Sequence, residues 1–134
     1  MEIERLGSGG PFEARVGYCR VVRAGAHVWV SGCTAVTEDG VVLGAGDAYE
    51  QARAALEVLV TALGRVGAGP EHVVRTRMHL TDITRWEEVG RAHQEVFGAA
   101  PPAAAMLGVS ALIDPRMLVE IEADAFVPHG TRTA

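Results

Sequence analysis

The chain has 134 residues, of which 49% are apolar and 22% are charged, and its formal net charge is −5. This length and composition fit one compact domain, predicted over residues 1–134, and exclude a disordered chain, a collagen-like chain and a bitopic membrane protein. The sequence contains no lysine, so all of its cations are arginines, whose planar guanidinium groups bind anions as bidentate forks. Because acidic residues are in excess and no basic run occurs, we expect neither nucleic acid nor a membrane as a partner.

The first residues carry no basic segment followed by an apolar one, so no secretory signal is predicted and the cytoplasm is the expected compartment. Cys19 and Cys33 are then predicted to be free thiols that act as small buried apolar groups. The histidines lack the spacing of metal ligands, so no metal site is expected. These histidines are His27, His72, His79, His93 and His129.

The N-terminal third is predicted to form short antiparallel strands. Tyr18–Arg23 and His27–Ser31 flank a turn at Ala24-Gly25, and a hairpin over Val36–Leu43 turns at Asp39-Gly40.

Two amphipathic helices follow. The first is predicted from Asp47, which stands three residues before Glu50 as in a capping box, to Gly67. Its apolar residues recur on one helical face at Ala52, Leu56, Leu59, Leu63 and Val66. The second helix is predicted from Thr84, with Glu87 in the capping position, to Gly98. Its stripe comprises Trp86, Val89, His93, Val96 and Phe97, and both Trp29 and Trp86 are predicted to anchor the core.

Two further strands alternate between apolar and charged residues. In the strand over 73–81, Arg75 and Arg77 are expected on the face away from the core. The core face is expected to carry Val74, Thr76, Met78 and Leu80. In the strand over 118–127, Val119 and Ile121 are expected inside, and Glu120 and the other acidic residues opposite. The pattern predicts an α+β fold with two helices on one face of a mixed sheet. The charged face is expected to be covered by another subunit.

Several colinear sequence motifs resemble those of the YjgF/Rid (reactive intermediate deaminase) family. They include Trp29-Val30-Ser31-Gly32, Tyr49-Glu50-Gln51-Ala52, Trp86-Glu87-Glu88-Val89 and Val119-Glu120-Ile121-Glu122-Ala123. The resemblance implies a chorismate-mutase-like fold assembled as a homotrimer, with the sheets around the threefold axis and small-molecule sites in the clefts between subunits.

In family members that are deaminases, the resemblance implies hydrolysis of enamines or imines released by pyridoxal-phosphate enzymes to 2-keto acids and ammonia, without a metal or cofactor. It implies Glu120 as the residue that positions water, Tyr18 as its pocket partner, and Ser31 and Gly32 as the backbone segment that meets the substrate. The arginine that clamps the substrate carboxylate in a P-A-R-[ST] motif is missing, because Pro102-Ala103-Ala104-Ala105 stands in its place. Ala104 and Ala105 therefore occupy the clamp positions, and Gly90 replaces a family asparagine.

Another arginine could supply the missing fork. The candidates are Arg20, Arg75 and Arg77, with Arg77 the one assigned to substrate binding. In the alternative interpretation, Arg75 and Arg77 pair with acidic residues of the last strand, and a paired Glu120 would have a lowered pKa.

The function predicted is hydrolysis of a reactive enamine or imine in a cleft between subunits, on a substrate other than the usual 2-imino acid. The alternative is a non-catalytic trimer that binds a small metabolite in the same cleft. A ribonuclease activity is disfavoured by the acidic balance.

Overall fold

The computed structural model describes residues 2–128, which form one six-stranded mixed sheet with its long helices on one face. The strands are β1 (Ile3–Leu6), β2 (Val21–Ala24), β3 (His27–Cys33), β4 (Val73–Leu80), β5 (Ala103–Gly108) and β6 (Val119–Phe126), and the helices are α1 (Glu13–Val16), α2 (Ala48–Arg65) and α3 (Trp86–Phe97). The strand order is β1-β2-β3-β6-β4-β5. This arrangement confirms the predicted α+β class.

The connections explain why both long helices share one face. β3 and β4 are each antiparallel to β6, so they are parallel to each other, and β5 is parallel to β4. The chain thus makes two parallel crossovers, through α2 and α3, in the same direction across the sheet. Crossovers of one hand and one direction place their helices on the same face.

The predicted stripe of α2 forms the centre of the core. Leu56, Leu59, Leu63 and Val66 are fully buried, together with Ile121 of β6. The Asp47 side chain accepts a hydrogen bond from the backbone N–H of Glu50 at 3.0 Å, which confirms the predicted helix start.

The structure corrects several sequence expectations. α3 begins at Trp86 after a 3₁₀ turn over Ile83–Arg85, and Asp82, rather than Thr84, provides the cap, accepting from the backbone N–H of Thr84 at 3.0 Å. β1 and β5 had no counterpart in the prediction. The hairpin predicted over Val36–Leu43 is present, since Val36 and Val42 form an antiparallel bridge and the backbone N–H of Gly40 donates to the carbonyl oxygen of Thr37 at 2.9 Å, but it is separate from the sheet.

Two apolar predictions are also wrong in placement. Val73 is buried and Val74 exposed, because an irregularity in the β4–β6 pairing inserts one residue and inverts the alternation at the strand's start. Trp29 and Trp86 are 45% and 53% exposed, so neither anchors the core of the chain.

Candidate functional site

A cavity of 750 Å³ opens where the N-terminal segment and the loop after β3 meet the sheet and α2. Five of the residues singled out from the sequence line it: Tyr18, Arg20, Ser31, Gly32 and Glu120. Tyr18 precedes β2, Ser31 and Gly32 are in β3, and Glu120 is in β6. The fold therefore brings together side chains that are about 100 positions apart in the sequence.

A bulge in β3 shapes the floor of this cavity. Val30 pairs with Ala123 of β6, and Cys33 pairs with Ile121. Between these two pairs β3 advances by three residues and β6 by two, so β3 contains one extra residue. The extra residue falls at Ser31–Gly32, beside Glu120. Bulges of this kind bend a strand and re-aim its groups next to functional sites.

The carboxyl group of Glu120 lies directly against the backbone of Gly32. A Cβ atom at position 32 would come within 2.6 Å of both Cδ and Oε2 of Glu120. A larger residue here would therefore displace the Glu120 carboxyl group from this position. Gly32 carries no positive φ, so no backbone strain is involved.

Glu120 is a half-buried carboxyl group whose pKa is raised. Burial is the main cause, and the neighbouring Glu122 charge adds to it, while His79 and Arg20 oppose it. Its position on the charged face agrees with the predicted alternation of β6. The alternative in which an arginine ion pair lowers this pKa is wrong, since the pKa moves in the opposite direction.

Arg20 is a buried cation in the wall of the cavity, and its hydrogen bonds are largely internal. Its Nη1 donates to the carbonyl oxygens of Gly32 at 2.7 Å and Ser31 at 3.3 Å, and its Nη2 lies 3.7 Å from a carboxylate oxygen of Glu13. Sequence reasoning offered Arg20 as a possible substrate fork. The structure shows it bracing the bulge instead.

Glu13 completes this support and was missed from the sequence, because its position in a short helix after a glycine-rich stretch carries no recognisable pattern. It accepts hydrogen bonds from the backbone N–H and the hydroxyl of Ser8. Burial alone would raise the pKa of Glu13, but the Ser8 hydrogen bonds and the Arg20 charge outweigh it and lower the pKa. The N-terminal segment is thereby tied to the cavity wall.

The two cysteines and Ser31 have structural contacts. The Ser31 hydroxyl donates to the carbonyl oxygen of Cys19 at 2.7 Å, which ties β3 to the segment carrying Tyr18. Cys33 is a free, buried thiol, and burial raises its pKa to about 11, so it is protonated at neutral pH. Cys19 is also free. These findings confirm the expectation of free thiols.

Arg77 lies outside the cavity, on the open face of the sheet. Its Nη1 is 3.4 Å from Oε2 of Glu122 and 3.5 Å from Oδ2 of Asp124, and Nε2 of His79 is 2.9 Å from Oε1 of Glu122. For Arg77 the ion-pair interpretation is therefore confirmed. Its assignment to substrate binding does not apply to the cavity of this chain.

Ala104, Ala105 and Gly90 also lie away from this cavity. The two alanines are on β5, the edge strand, which is separated from β3 by β6 and β4, or roughly 14 Å across three strand spacings. A Cβ at Gly90 in α3 would meet nothing within 4 Å. The predicted site residues thus form two groups, one in the cavity and one outside it on β4, β5 and α3.

Neither a metal cluster nor a membrane-spanning helix is found in the part of the chain that the structure describes. Within residues 2–128, no three His, Cys, Asp or Glu side chains come together in a group that could hold a metal ion. His129 lies outside the described residues. None of the helices in this range is long and apolar enough to cross a membrane.

Comparison with known proteins decides the family. The family model described as endoribonuclease L-PSP matches residues 10–127. The chain belongs to this family, the YjgF/Rid family. The match covers every strand and helix except β1, and it confirms the resemblance that the sequence motifs indicated.

Relatives of the YjgF/Rid family are similar over nearly the whole chain. A crystal structure of Rv2704 from Mycobacterium tuberculosis, described as a member of the YjgF/YER057c/UK114 family, is 46% identical with a TM-score of 0.84 and covers 94% of this chain and 100% of that one. The uncharacterized protein SCO2049 of Streptomyces coelicolor is 40% identical over 92% of each chain. The 3-aminoacrylate deaminase RutC of Acinetobacter baylyi is 29% identical over 82% of this chain and 86% of its own.

Proposed function

We propose that this YjgF/Rid protein hydrolyses a reactive enamine or imine in the cavity beside Glu120, with a carbonyl compound and ammonia as products. The observation that carries the proposal is the half-buried Glu120 carboxyl group held against Gly32 in a cavity that Tyr18 also lines. The relative named 3-aminoacrylate deaminase acts on a substrate of this chemical class, and its similarity supports the same reaction type.

The proposed reaction needs one proton acceptor and one proton donor. Glu120 accepts a proton from water as the water oxygen bonds to the carbon of the protonated imine and the C=N electron pair moves to nitrogen. The resulting neutral carbinolamine regains this proton on nitrogen, its hydroxyl gives a proton back to the Glu120 carboxylate, and the C–N bond breaks to release ammonia and the carbonyl compound. An enamine enters at the same step after protonation on carbon, for which the Tyr18 hydroxyl is the proposed donor.

Burial of Glu120 suits both steps. A carboxyl group with a raised pKa is a stronger base when ionised, and at neutral pH a larger fraction of it is protonated and able to act as an acid than for an exposed glutamate. Arg20 holds the carbonyl groups of the bulge and thereby keeps Gly32 in place beneath this carboxyl group.

We further propose that the protein works as a homotrimer whose subunits complete each other's clefts. The open face of the sheet carries exposed Trp29 and Phe126 beside charged residues, which supports burial against other subunits. Such an assembly would also account for the separation of the two groups of site residues, since the β5 edge with Ala104 and Ala105 would face the cavity of a neighbour. Gly90 and Arg77 are assigned to the cleft only on this basis.

The substrate is proposed to differ from the usual 2-imino acids. Ala104 has no donor, whereas a charge-assisted bond from arginine to a carboxylate contributes roughly 1.5–3 kcal/mol and fixes the substrate's orientation. The same substitution favours a second candidate, a trimer that binds a small metabolite without converting it.

The decisive experiment measures ammonia release from an imine generated immediately beforehand by an amine oxidase, with and without the protein. We expect faster release with the protein, and Glu120→Gln is expected to abolish the difference. Glu87→Gln is the control, because it makes the same change at an exposed glutamate on α3 that does not line the cavity. Equal rates with and without wild-type protein would reject the hydrolase and leave the binding function.

The binding function has its own signature. A ligand that is only bound should raise the thermal unfolding temperature of both wild type and Glu120→Gln, and Tyr18→Ala should remove that shift.

A further inference from the structure

Carboxylates outnumber guanidinium groups among the residues that line the cavity. Three carboxylates line it, from Glu38, Glu57 and Glu120, against two guanidinium groups, from Arg20 and Arg65. Glu120 is half-buried, so its charge is screened less by solvent than that of an exposed glutamate. Glu57 is exposed, and its Oε2 lies 3.7 Å from Nη1 of Arg53.

Neither guanidinium group is arranged as a clamp for an anion. Arg20 donates from Nη1 to the backbone of the bulge, and its Nη2 lies 3.7 Å from Glu13. Its Nε makes no hydrogen bond with the residues that the structure describes but is buried, so this side of the guanidinium group is not open to a ligand in the cavity. Arg65 stands at the exposed rim and donates from Nη1 to the carbonyl oxygen of Gly7 at 2.7 Å.

Within one chain, a substrate carboxylate would therefore approach the Glu120 carboxylate without a free fork to balance it. In the proposed trimer, a neighbour's Arg77 would enter the cleft already paired with Glu122 and Asp124, so it adds no net positive charge. Like charges brought together in a recess disfavour binding.

The rest of the lining is apolar and aromatic. Phe12 and Tyr18 present aromatic rings, whose faces attract cations. Val16 and Ile113 are largely exposed at the mouth, and Val58 of α2 adds to the apolar wall. Exposed apolar side chains around a concave site are typical of a surface that a ligand's hydrocarbon portion covers.

We infer that the cavity selects a positively charged imine that bears an apolar substituent and no carboxylate, the class of compound formed when a primary amine is oxidised. This inference rests on the proposed function and names its substrate class. Glu120 would balance the iminium charge in the ground state, and attack by water would give a neutral carbinolamine. The overall reaction is R₂C=NH₂⁺ + H₂O → R₂C=O + NH₄⁺, in which no oxidant or reductant is consumed.

The test uses two substrates that differ only in the carboxylate. A flavin-dependent amine oxidase generates 3-methylbutan-1-imine from isoamylamine, and an amino-acid oxidase generates 2-imino-4-methylpentanoate from leucine. We expect the acceleration of ammonia release by the protein to be at least tenfold greater for the first imine. A larger acceleration for the imino acid would overturn the inference and leave the proposed hydrolase intact, whereas no acceleration for either would refute the hydrolase.

A binding measurement tests the charge preference independently of turnover. Isothermal titration of the wild-type protein should show tighter binding of isoamylamine, the cationic probe, than of 4-methyl-2-oxopentanoate, the anionic probe. Glu38→Gln at the cavity should weaken amine binding several-fold at low salt, while Glu87→Gln, an exposed glutamate on α3 outside the cavity, should not. Equal binding of the two probes, tighter binding of the anion, or no binding of either would overturn the inference.

Discussion

Gly32 and Glu120 are in such close contact that a methyl group on the glycine would occupy the space of the carboxyl group, with the added Cβ 2.6 Å from Cδ of Glu120. The contact joins β3 to β6 at the bulge and sets where the carboxyl group points. Because only the end of a flexible side chain is in the way, a larger residue at position 32 would move the carboxyl group more easily than it would unfold the sheet.

We therefore expect Gly32→Ala to reduce imine hydrolysis by about tenfold or more, since small misplacements of catalytic groups cost rate steeply. The thermal unfolding temperature should fall by only a few degrees, which corresponds to about 1 kcal/mol. Gly64→Ala is the matched control, because a Cβ at Gly64 meets nothing within 4 Å. Unchanged turnover in Gly32→Ala would contradict the role given to this contact.

The raised pKa of Glu120 predicts the pH dependence of stability. A carboxyl group whose pKa is higher in the folded state than its value of 4.5 stabilises the fold at low pH, and this contribution is lost as the pH rises through the folded-state pKa. Glu120→Gln removes the buried charge, so it should increase the free energy of unfolding at pH 7. The increase should vanish below pH 4.5. Denaturant unfolding at both pH values measures it, and a destabilised variant at pH 7 would show that the ionised carboxylate is well solvated or paired.

Tyr18 is expected to contribute its ring to binding and its hydroxyl to turnover. For an enamine substrate, Tyr18→Phe should lower kcat by about tenfold or more, because positioned proton donors supply at least that factor, and it should leave KM nearly unchanged. Tyr18→Ala should raise KM as well. Tyr49→Phe is the control, since the Tyr49 hydroxyl donates to Glu95 at 2.6 Å and takes no part in the cavity. Equal kcat values for wild type and Tyr18→Phe would remove the hydroxyl from the mechanism.

Restoring the missing arginine should shift specificity toward carboxylated substrates. A guanidinium–carboxylate bond is worth roughly 1.5–3 kcal/mol, so Ala104→Arg should raise kcat/KM for a 2-imino acid by about 10- to 150-fold over its value in the wild type. Ala103→Arg introduces the same charge one residue away on β5, where successive side chains point to opposite faces. A similar gain in both variants would indicate a non-specific charge effect.

The proposed trimer predicts a mass of about 42 kDa in solution, three times the 14.1 kDa of one chain. Trp29 lies on the open face of the sheet, where its ring stacks on His27, and Trp86 begins α3 on the helical side. Light scattering should therefore show a lower mass for Trp29→Glu and an unchanged mass for Trp86→Glu. A wild-type mass of one chain would contradict the assembly.

The sequence by itself determined the features that depend on local periodicity. The apolar residues of α2 recur at helical spacing, which indicated both the helix and the face it buries, and Asp47 marked its start. The alternation in β6 placed Glu120 on the face away from the helices. The family motifs added Tyr18, Ser31 and Gly32, and all three line the cavity with Glu120.

Only the tertiary structure decided features that arise from pairing between distant segments. β5 is an alanine-rich run without alternation, and it is a strand because β4 lies beside it. The bulge at Ser31–Gly32 depends on the register of β3 against β6, which the local sequence pattern of β3 does not reveal. The raised pKa of Glu120 follows from burial, and the engagement of Arg20 follows from the position of Glu13 and of the bulge carbonyls. All of these features depend on contacts between residues far apart in the sequence, so they exist only once the chain has folded.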